Sequence, residues 1–435
     1  MASKKEIFKL LIKEFHESSV PEVIRRDLVV PLNTSKVITV AGPRRAGKTF
    51  FFFQLVTNLL NSVPSSRILY MNYEDDRILP VHLRDLNELL ESYFELYPEN
   101  KEKDIYLFFD EIQNVEGWEV FVRRVHDREK ARIFITGSSS KLLSQEIATS
   151  LRGRTLSYRI YPLSFREFLR FNDVEPAPDF AYSKMRFKIK KLIGEYITFG
   201  GFPEVALADQ YLKFTILKNY YELAIYRDLV DRYSIRNILL LKNLMKYLIT
   251  NVANLFSVNS YYRSIGQQLA VSRSTVIEYL GYLEEVGLIS FAPFFSYSLK
   301  VQQVNLRKAY TVDTGLRNAV SFRFSHDEGR LAENVVFGEL TRAGRDIFYW
   351  QAKNEVDFVV ATNGRLSGLN VAYSDEPDPR EVNGLVEFKR EFGKKVEKLI
   401  VITKDLERTE RKGKEEIVFV PLWKWLLLVD PSWSI

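Results

Sequence analysis

The chain has 435 residues, enough for two to four domains with their own cores, and its 46% hydrophobic and 14% aromatic content excludes a disordered or low-complexity protein. Lys and Arg number 62 against 56 Asp and Glu, a net charge of +6 that suits an anionic partner such as nucleic acid but is spread thinly. Cysteine is absent, which excludes disulfides, thiolate zinc sites and cysteine nucleophiles, and the four histidines (His16, His82, His126, His326) have no ligand spacing.

The opening MASKKEIFKLLIKEF alternates basic and apolar residues as an amphipathic helix does, and it lacks the apolar core of a secretory signal. No run reaches the roughly eighteen apolar residues needed to cross a bilayer. The expectation is a soluble, cytoplasmic protein without a membrane partner. Arg25-Arg26-Asp27-Leu28 then lead towards the first strand, with no chemistry beyond a basic lid over a nucleotide base.

Val37-Ile38-Thr39-Val40 reads as a buried strand. It breaks into Gly42-Pro43-Arg44-Arg45-Ala46-Gly47-Lys48-Thr49, which satisfies G-x-x-x-x-G-K-[ST] and precedes an apolar helix, Phe50 to Leu60. In such a loop the glycines let backbone N–H groups turn inward around phosphate oxygens and the next helix points its positive end at them. Lys48 adds a cation and Thr49 a hydroxyl for Mg²⁺. The pattern predicts a binding site for ATP with Mg²⁺.

Arg67 to Asn72 is a second strand, ending in the acidic turn Tyr73-Glu74-Asp75-Asp76-Arg77. At the carboxyl edge of a parallel sheet these acids face the nucleotide side, where Glu74 orients water, meets a neighbouring subunit or stays solvated. Ile105-Tyr106-Leu107-Phe108-Phe109-Asp110-Glu111 is an apolar strand closing on two acids. Asp110 is expected to hold Mg²⁺ through water, with Glu111 as the general base. A further strand, Arg132 to Thr136, leads into Gly137-Ser138-Ser139-Ser140, where Thr136 or Ser138 can sense a γ-phosphate and Ser140 can cap a helix. Arg152 and Arg154, just before the strand Thr155 to Ile160, are candidates to reach a neighbour's γ-phosphate; a surface salt bridge is the alternative.

GPRRAGKT, ILYMNYEDDR, LFFDEIQNVEGW, ITGSSSKLLSQEIATSLRGR and YPLSFREFL stand in the order seen in a family of archaeal and bacterial AAA+ superfamily ATPases, which the chain resembles along most of its length. The resemblance implies an α/β fold opening on an additional-strand, AAA+-like P-loop NTPase core. In it Lys48, Thr49, Asp110 and Glu111 hold the motif positions, and an arginine of the GR element acts near the nucleotide. It also implies helical and winged-helix segments and a closing restriction-endonuclease-like domain.

Domains are expected at residues 1–170 (ATPase), 171–255 (helical), 256–308 (winged helix-turn-helix) and 309–435 (nuclease-like). Asn172 to Ser183 reads as an exposed loop, and Phe199-Gly200-Gly201-Phe202-Pro203 as a tight turn. Arg227 is expected to pair with Asp228 or Asp231. Ser264 to Ala270 and Arg273 onward form a helix-turn-helix, with Arg273, Ser274 and Thr275 at the start of the second helix and a wing made by Leu288 to Phe295 and Lys300 to Lys308. In the last domain Glu333 and Asp357 fill two metal positions of the nuclease pattern, but Asn370-Val371-Ala372 stands where an acid and a lysine belong. That domain is therefore expected not to cut DNA. The apolar VFVPLWKWLLLVDPSW near the end is expected to be a buried strand and helix. The sequence reads as an Mg²⁺-dependent ATPase coupled to DNA or protein partners, with a homo-oligomer as the setting for an arginine in trans. The alternatives are a slow ATP-dependent switch and, more weakly, a nuclease.

Overall fold

The computed structural model describes residues 3–138, 151, 153–269, 271–321 and 328–428. The chain divides into two compact units, Met1–Tyr161 and Pro162–Ile435.

In the first unit, helix α1 (Lys4–Glu17) starts at a capping box made by Ser3 and Glu6 and buries Phe8, Leu11 and Ile12. Strand β1 (Val37–Gly42) runs through the phosphate-binding motif into helix α2 (Lys48–Leu60). There follow β2 (Ile68–Asn72), α3 (Leu83–Leu96), β3 (Ile105–Asp110), α4 (Trp118–Arg128), β4 (Ala131–Ser138) and β5 (Thr155–Arg159). All five strands pair in parallel, in the order β2-β3-β4-β1-β5. The strand that carries Thr136 thus lies between the phosphate-loop strand and the Asp110 strand, the additional-strand arrangement.

Both faces of this sheet are covered, which is why its strands read as continuous apolar runs. Leu107 and Phe109 face the core built with α1, α3 and α4, whereas Tyr106 and Phe108 face the one built with α2. Phe108 and Phe134 stack at 4.6 Å between ring centres on the α2 side.

The second unit opens with helices Phe165–Phe171, Met185–Phe199, Pro203–Leu207 and Lys213–Leu223, and then a π-helical turn, Ala224–Val230. Arg227 there pairs with Asp231 at 3.5 Å. Gly200 has φ +74°, and a Cβ on it would lie 2.0 Å from the Asp313 carboxylate, so this turn requires glycine. After helix Ile238–Thr250 come β6 (Leu255–Phe256), helices Val258–Leu269 and Arg273–Glu285, β7 (Ile289–Ala292) and β8 (Arg307–Thr311), with the strands in antiparallel order β6-β8-β7.

The basic segment Lys300 to Lys308, expected to complete the wing with Leu288 to Phe295, is part helix and part strand. Leu299–Val304 is a helix and β8 begins only at Arg307. LKVQQV is made mostly of good helix formers, and Gln302 fixes the turn through its N–H to the Ser298 carbonyl and its amide to the Ser296 carbonyl.

Beyond helix Thr314–Val320 and the long helix Glu328–Arg342, strands β9 (Asp346–Gln351), β10 (Glu355–Thr362), β11 (Arg365–Ala372), β12 (Val396–Thr403), β13 (Arg408–Lys412) and β14 (Glu415–Pro421) form a mixed sheet ordered β13-β14-β12-β11-β10-β9. Phe358, Val360 and Leu369 share a core with helix Glu328–Arg342, and Val356, Val359 and Leu366 with helix Pro379–Phe392. β14 and the buried helix Leu422–Leu428 are the expected strand and helix near the end of the chain. Among the described residues no helix is long and apolar enough to cross a membrane.

Candidate nucleotide site

The parallel sheet brings the carboxyl ends of β1, β2, β3 and β4 to one edge, where an open α/β sheet gathers its ligands. The Gly42–Thr49 loop leaves β1 at that edge. Gly42 is required by a close approach, since a Cβ there would sit 2.2 Å from the Ile160 carbonyl oxygen. Arg45 (φ +66°) and Gly47 (φ +94°) turn the backbone through the left-handed region, and the Ala46 N–H donates to the Pro43 carbonyl at 3.3 Å. Gly47 is the N-cap of α2, so the positive end of that helix opens into the loop.

Lys48 is only 5% exposed. Its ammonium donates to the carbonyls of Gly42 and Pro43, both at 3.4 Å, and lies 3.3 Å from Glu111 Oε1. Asp110 is fully buried and accepts hydrogen bonds from Tyr70 Oη (3.0 Å), Thr136 Oγ1 and the Thr49 hydroxyl. Burial pushes the Asp110 carboxyl above the usual carboxylate range despite those three donors. Glu111 has φ +54°, and its N–H donates to Thr136 Oγ1 at 3.0 Å. Gln113 Nε2 donates to the second Glu111 oxygen. Burial acts to raise Glu111, but Lys48, Gln113 and Arg44 outweigh it and hold the carboxyl below its ordinary value.

Arg44 reaches Glu74 Oε1 at 3.5 Å, so the acidic turn after β2 does meet the loop. The donor set suits a magnesium-bound triphosphate: loop amides, the α2 N-terminus and Lys48 face anionic phosphate, and the hydroxyl of Thr49 beside the carboxylate of Asp110 offers hard oxygens to the ion.

Residues 34–169 match the AAA domain family, and residues 190–327 and 328–425 match two domains of unknown function, DUF8612 and DUF4143. An uncharacterized protein of Methanocaldococcus jannaschii is 38% identical over 98% of this chain and 96% of its own length. An uncharacterized protein of Haemophilus influenzae is 32% identical over 91% of this chain and 95% of its own. The chain belongs to the family of these two proteins, and its residues 34–169 are an AAA domain. Among solved structures, this AAA-domain protein is similar to the Walker-type ATPase of Pyrococcus abyssi, with 14% identity, TM-score 0.40, and 66% of this chain and 91% of that one covered. It is also similar to AMPPCP-bound DnaA from Aquifex aeolicus, with 13% identity, TM-score 0.24, and 66% and 89% covered.

The AAA-domain protein gathers the loop residues, Asp110, Glu111 and Thr136 at one place and puts Arg154 elsewhere. Thr136 spends its hydroxyl on Asp110 and the Glu111 N–H, and so braces the acid pair. Arg154 precedes β5 at the amino edge of the sheet, about 20 Å along the strands from its own phosphate loop, and its guanidinium binds Asp127 at 2.9 Å. Arg152, Ser139 and Ser140 lie outside the described residues. Tyr70 and Gln113, which lie inside the ILYMNYEDDR and LFFDEIQNVEGW stretches, and Arg26, which lies outside every motif, also belong to the site. Tyr70 had one signal, the pairing of β2 beside the Asp110 strand; Arg26 had none.

In the second unit of the AAA-domain protein, Glu333 and Asp357 do come together, around an ammonium. Lys308 of β8 is 2% exposed, and its Nζ lies 2.9 Å from Glu333, 2.9 Å from Asp357 and 2.5 Å from Glu355. Asn370 Oδ1 accepts the Asp357 N–H at 2.9 Å, and its amide donates to Glu381. Among the described residues no group of three or more His, Asp or Glu is placed to hold a metal ion.

Proposed function

We propose that this protein binds ATP with Mg²⁺ at the Gly42–Thr49 loop, hydrolyses it with Glu111 as general base, and relays nucleotide state to a DNA or protein partner. The observation that carries this reading is the meeting of Lys48 with the buried Asp110–Glu111 pair. Thr49 and Asp110 would hold Mg²⁺, which would supply positive charge to offset that of the phosphates. Lys48 and the loop amides bind and orient the triphosphate. Glu111, kept ionised at neutral pH by Lys48, takes the proton of the attacking water.

A slow regulatory switch is the second reading. It is favoured by the Lys48–Glu111 ion pair itself, because both groups must part before either meets substrate. Steady-state hydrolysis with and without DNA separates the two: DNA-stimulated turnover is the behaviour of a motor, tight binding with negligible turnover that of a switch. Failure to bind ATP at all would sink both.

The helix pair Val258–Leu269 and Arg273–Glu285 with the small sheet beside it supports a winged-helix reading, with Arg273, Ser274 and Thr275 facing DNA. The last domain we read as a nuclease-like fold that does not cut, since Asn370 and Ala372 replace an acid and a lysine and the Lys308 ammonium sits among the remaining acids. Supercoiled DNA should stay intact with Mg²⁺ or Mn²⁺; nicking abolished by Asp357→Ala would overturn this.

A further inference from the structure

Arg26 lies in the segment between α1 and β1, outside every motif, yet it is 6% exposed and bound at both ends. Its Nη1 donates to the Ala46 carbonyl inside the phosphate loop at 2.8 Å, and its Nη2 to the Tyr161 carbonyl at 2.8 Å. Its backbone is held as firmly: its N–H donates to Gln54 Oε1 of α2 at 2.7 Å, and Gln54 Nε2 donates back to its carbonyl at 3.1 Å.

The Ala46–Gly47 peptide is planar, so its carbonyl and its N–H point to opposite sides. A guanidinium that holds the Ala46 oxygen therefore holds the Gly47 N–H away from itself. Gly47 has no side chain to resist rotation of that peptide and already sits at φ +94°. Its orientation has to be imposed by a neighbour. The planar fork of arginine can take two carbonyls at once, whereas a lysine ammonium is a point charge on a flexible stem.

We propose that Arg26 is a positioning residue that aims the Gly47 N–H at the triphosphate; this rests on the ATPase reading above. It replaces the expectation that this basic segment is a lid over the base.

The test compares wild-type, Arg26→Ala and Arg26→Lys full-length proteins for binding of a fluorescent ATP analogue, ATP hydrolysis and melting temperature. Arg26→Ala should lose about tenfold or more in kcat/KM, the order expected for one misaimed donor. Millimolar guanidinium should restore part of that loss while leaving Lys48→Ala inactive. Arg26→Lys should fall between wild type and Arg26→Ala. An Arg26→Ala protein as active as an active wild type overturns the proposal. So does a loss that guanidinium does not restore and that tracks melting temperature alone. Should Arg26→Ala not fold, Arg26→Lys with wild-type kcat/KM overturns it. A wild type that neither binds nor hydrolyses ATP fails at the first step, and that outcome refutes the parent reading rather than Arg26 in particular.

Discussion

Lys48 Nζ lies 3.3 Å from Glu111 Oε1, so the cation that meets phosphate and the base that meets water hold each other. Gln113 donates to the other Glu111 oxygen and fixes where the base points once Lys48 turns to phosphate. Gln113→Leu should lower kcat about tenfold, the worth of one hydrogen bond to a charged group, and leave ATP affinity unchanged. Steady-state kinetics with direct binding measurement checks this; a loss confined to affinity would contradict it.

Thr136 Oγ1 donates a hydrogen bond to Asp110 and accepts one from the Glu111 N–H, both inside the core. Thr136→Val removes both bonds, leaving the Glu111 N–H without this acceptor and Asp110 with one donor fewer, which should destabilise the first unit by about 2 kcal/mol in urea unfolding. Thr136→Ser should recover most of it. Equal stability of the valine variant and wild type would remove Thr136 from this role.

Arg154 sits at the sheet edge away from its own phosphate loop, bound to Asp127, so a part in hydrolysis requires a neighbouring subunit. Arg154→Ala should be inactive alone and regain activity when mixed with Glu111→Gln, because mixed assemblies contain intact sites. No recovery in an oligomer that does exchange subunits would leave Arg154 as a salt bridge only.

In the second unit, burial raises Glu333 to about 8, with Asp357 adding to the shift and Lys308 opposing it. Burial likewise raises Glu381 to about 7. A carboxyl raised on folding binds its proton more tightly in the native state. Its contribution is full below the ordinary carboxylate value and is lost as pH rises through the folded value. Thermal stability should therefore fall as pH rises from about 4.5 to about 8, and Glu333→Gln should flatten that fall. A stability that rises over this interval would contradict the assignment.

The phosphate loop, its helix and the Asp110–Glu111 strand were legible in the sequence because each is set by neighbours within about ten residues: a glycine turn, an apolar run, an acid pair at its end. Residues whose roles depend on pairing across the fold were not. Tyr70 reaches Asp110 because β2 pairs with β3 in one register, and Arg26 reaches Ala46 through a segment without periodicity. Asn370 was expected to stand where a nuclease pattern has an acid, but its partners come from β10 and the helix Pro379–Phe392, and the lysine among the acids comes from β8. The helix at Leu299–Val304 was not legible because a six-residue LKVQQV run is too short to show a helical period.

The most direct test is ATP binding and hydrolysis measured side by side for wild type, Lys48→Ala and Glu111→Gln. Lys48→Ala should lose most nucleotide affinity. Glu111→Gln should bind ATP at least as tightly as wild type, since Lys48 is then released from its ion pair, and should lose about 10²-fold or more in turnover. Equal loss of binding in the two variants, or full turnover by Glu111→Gln, would contradict the roles given to this pair.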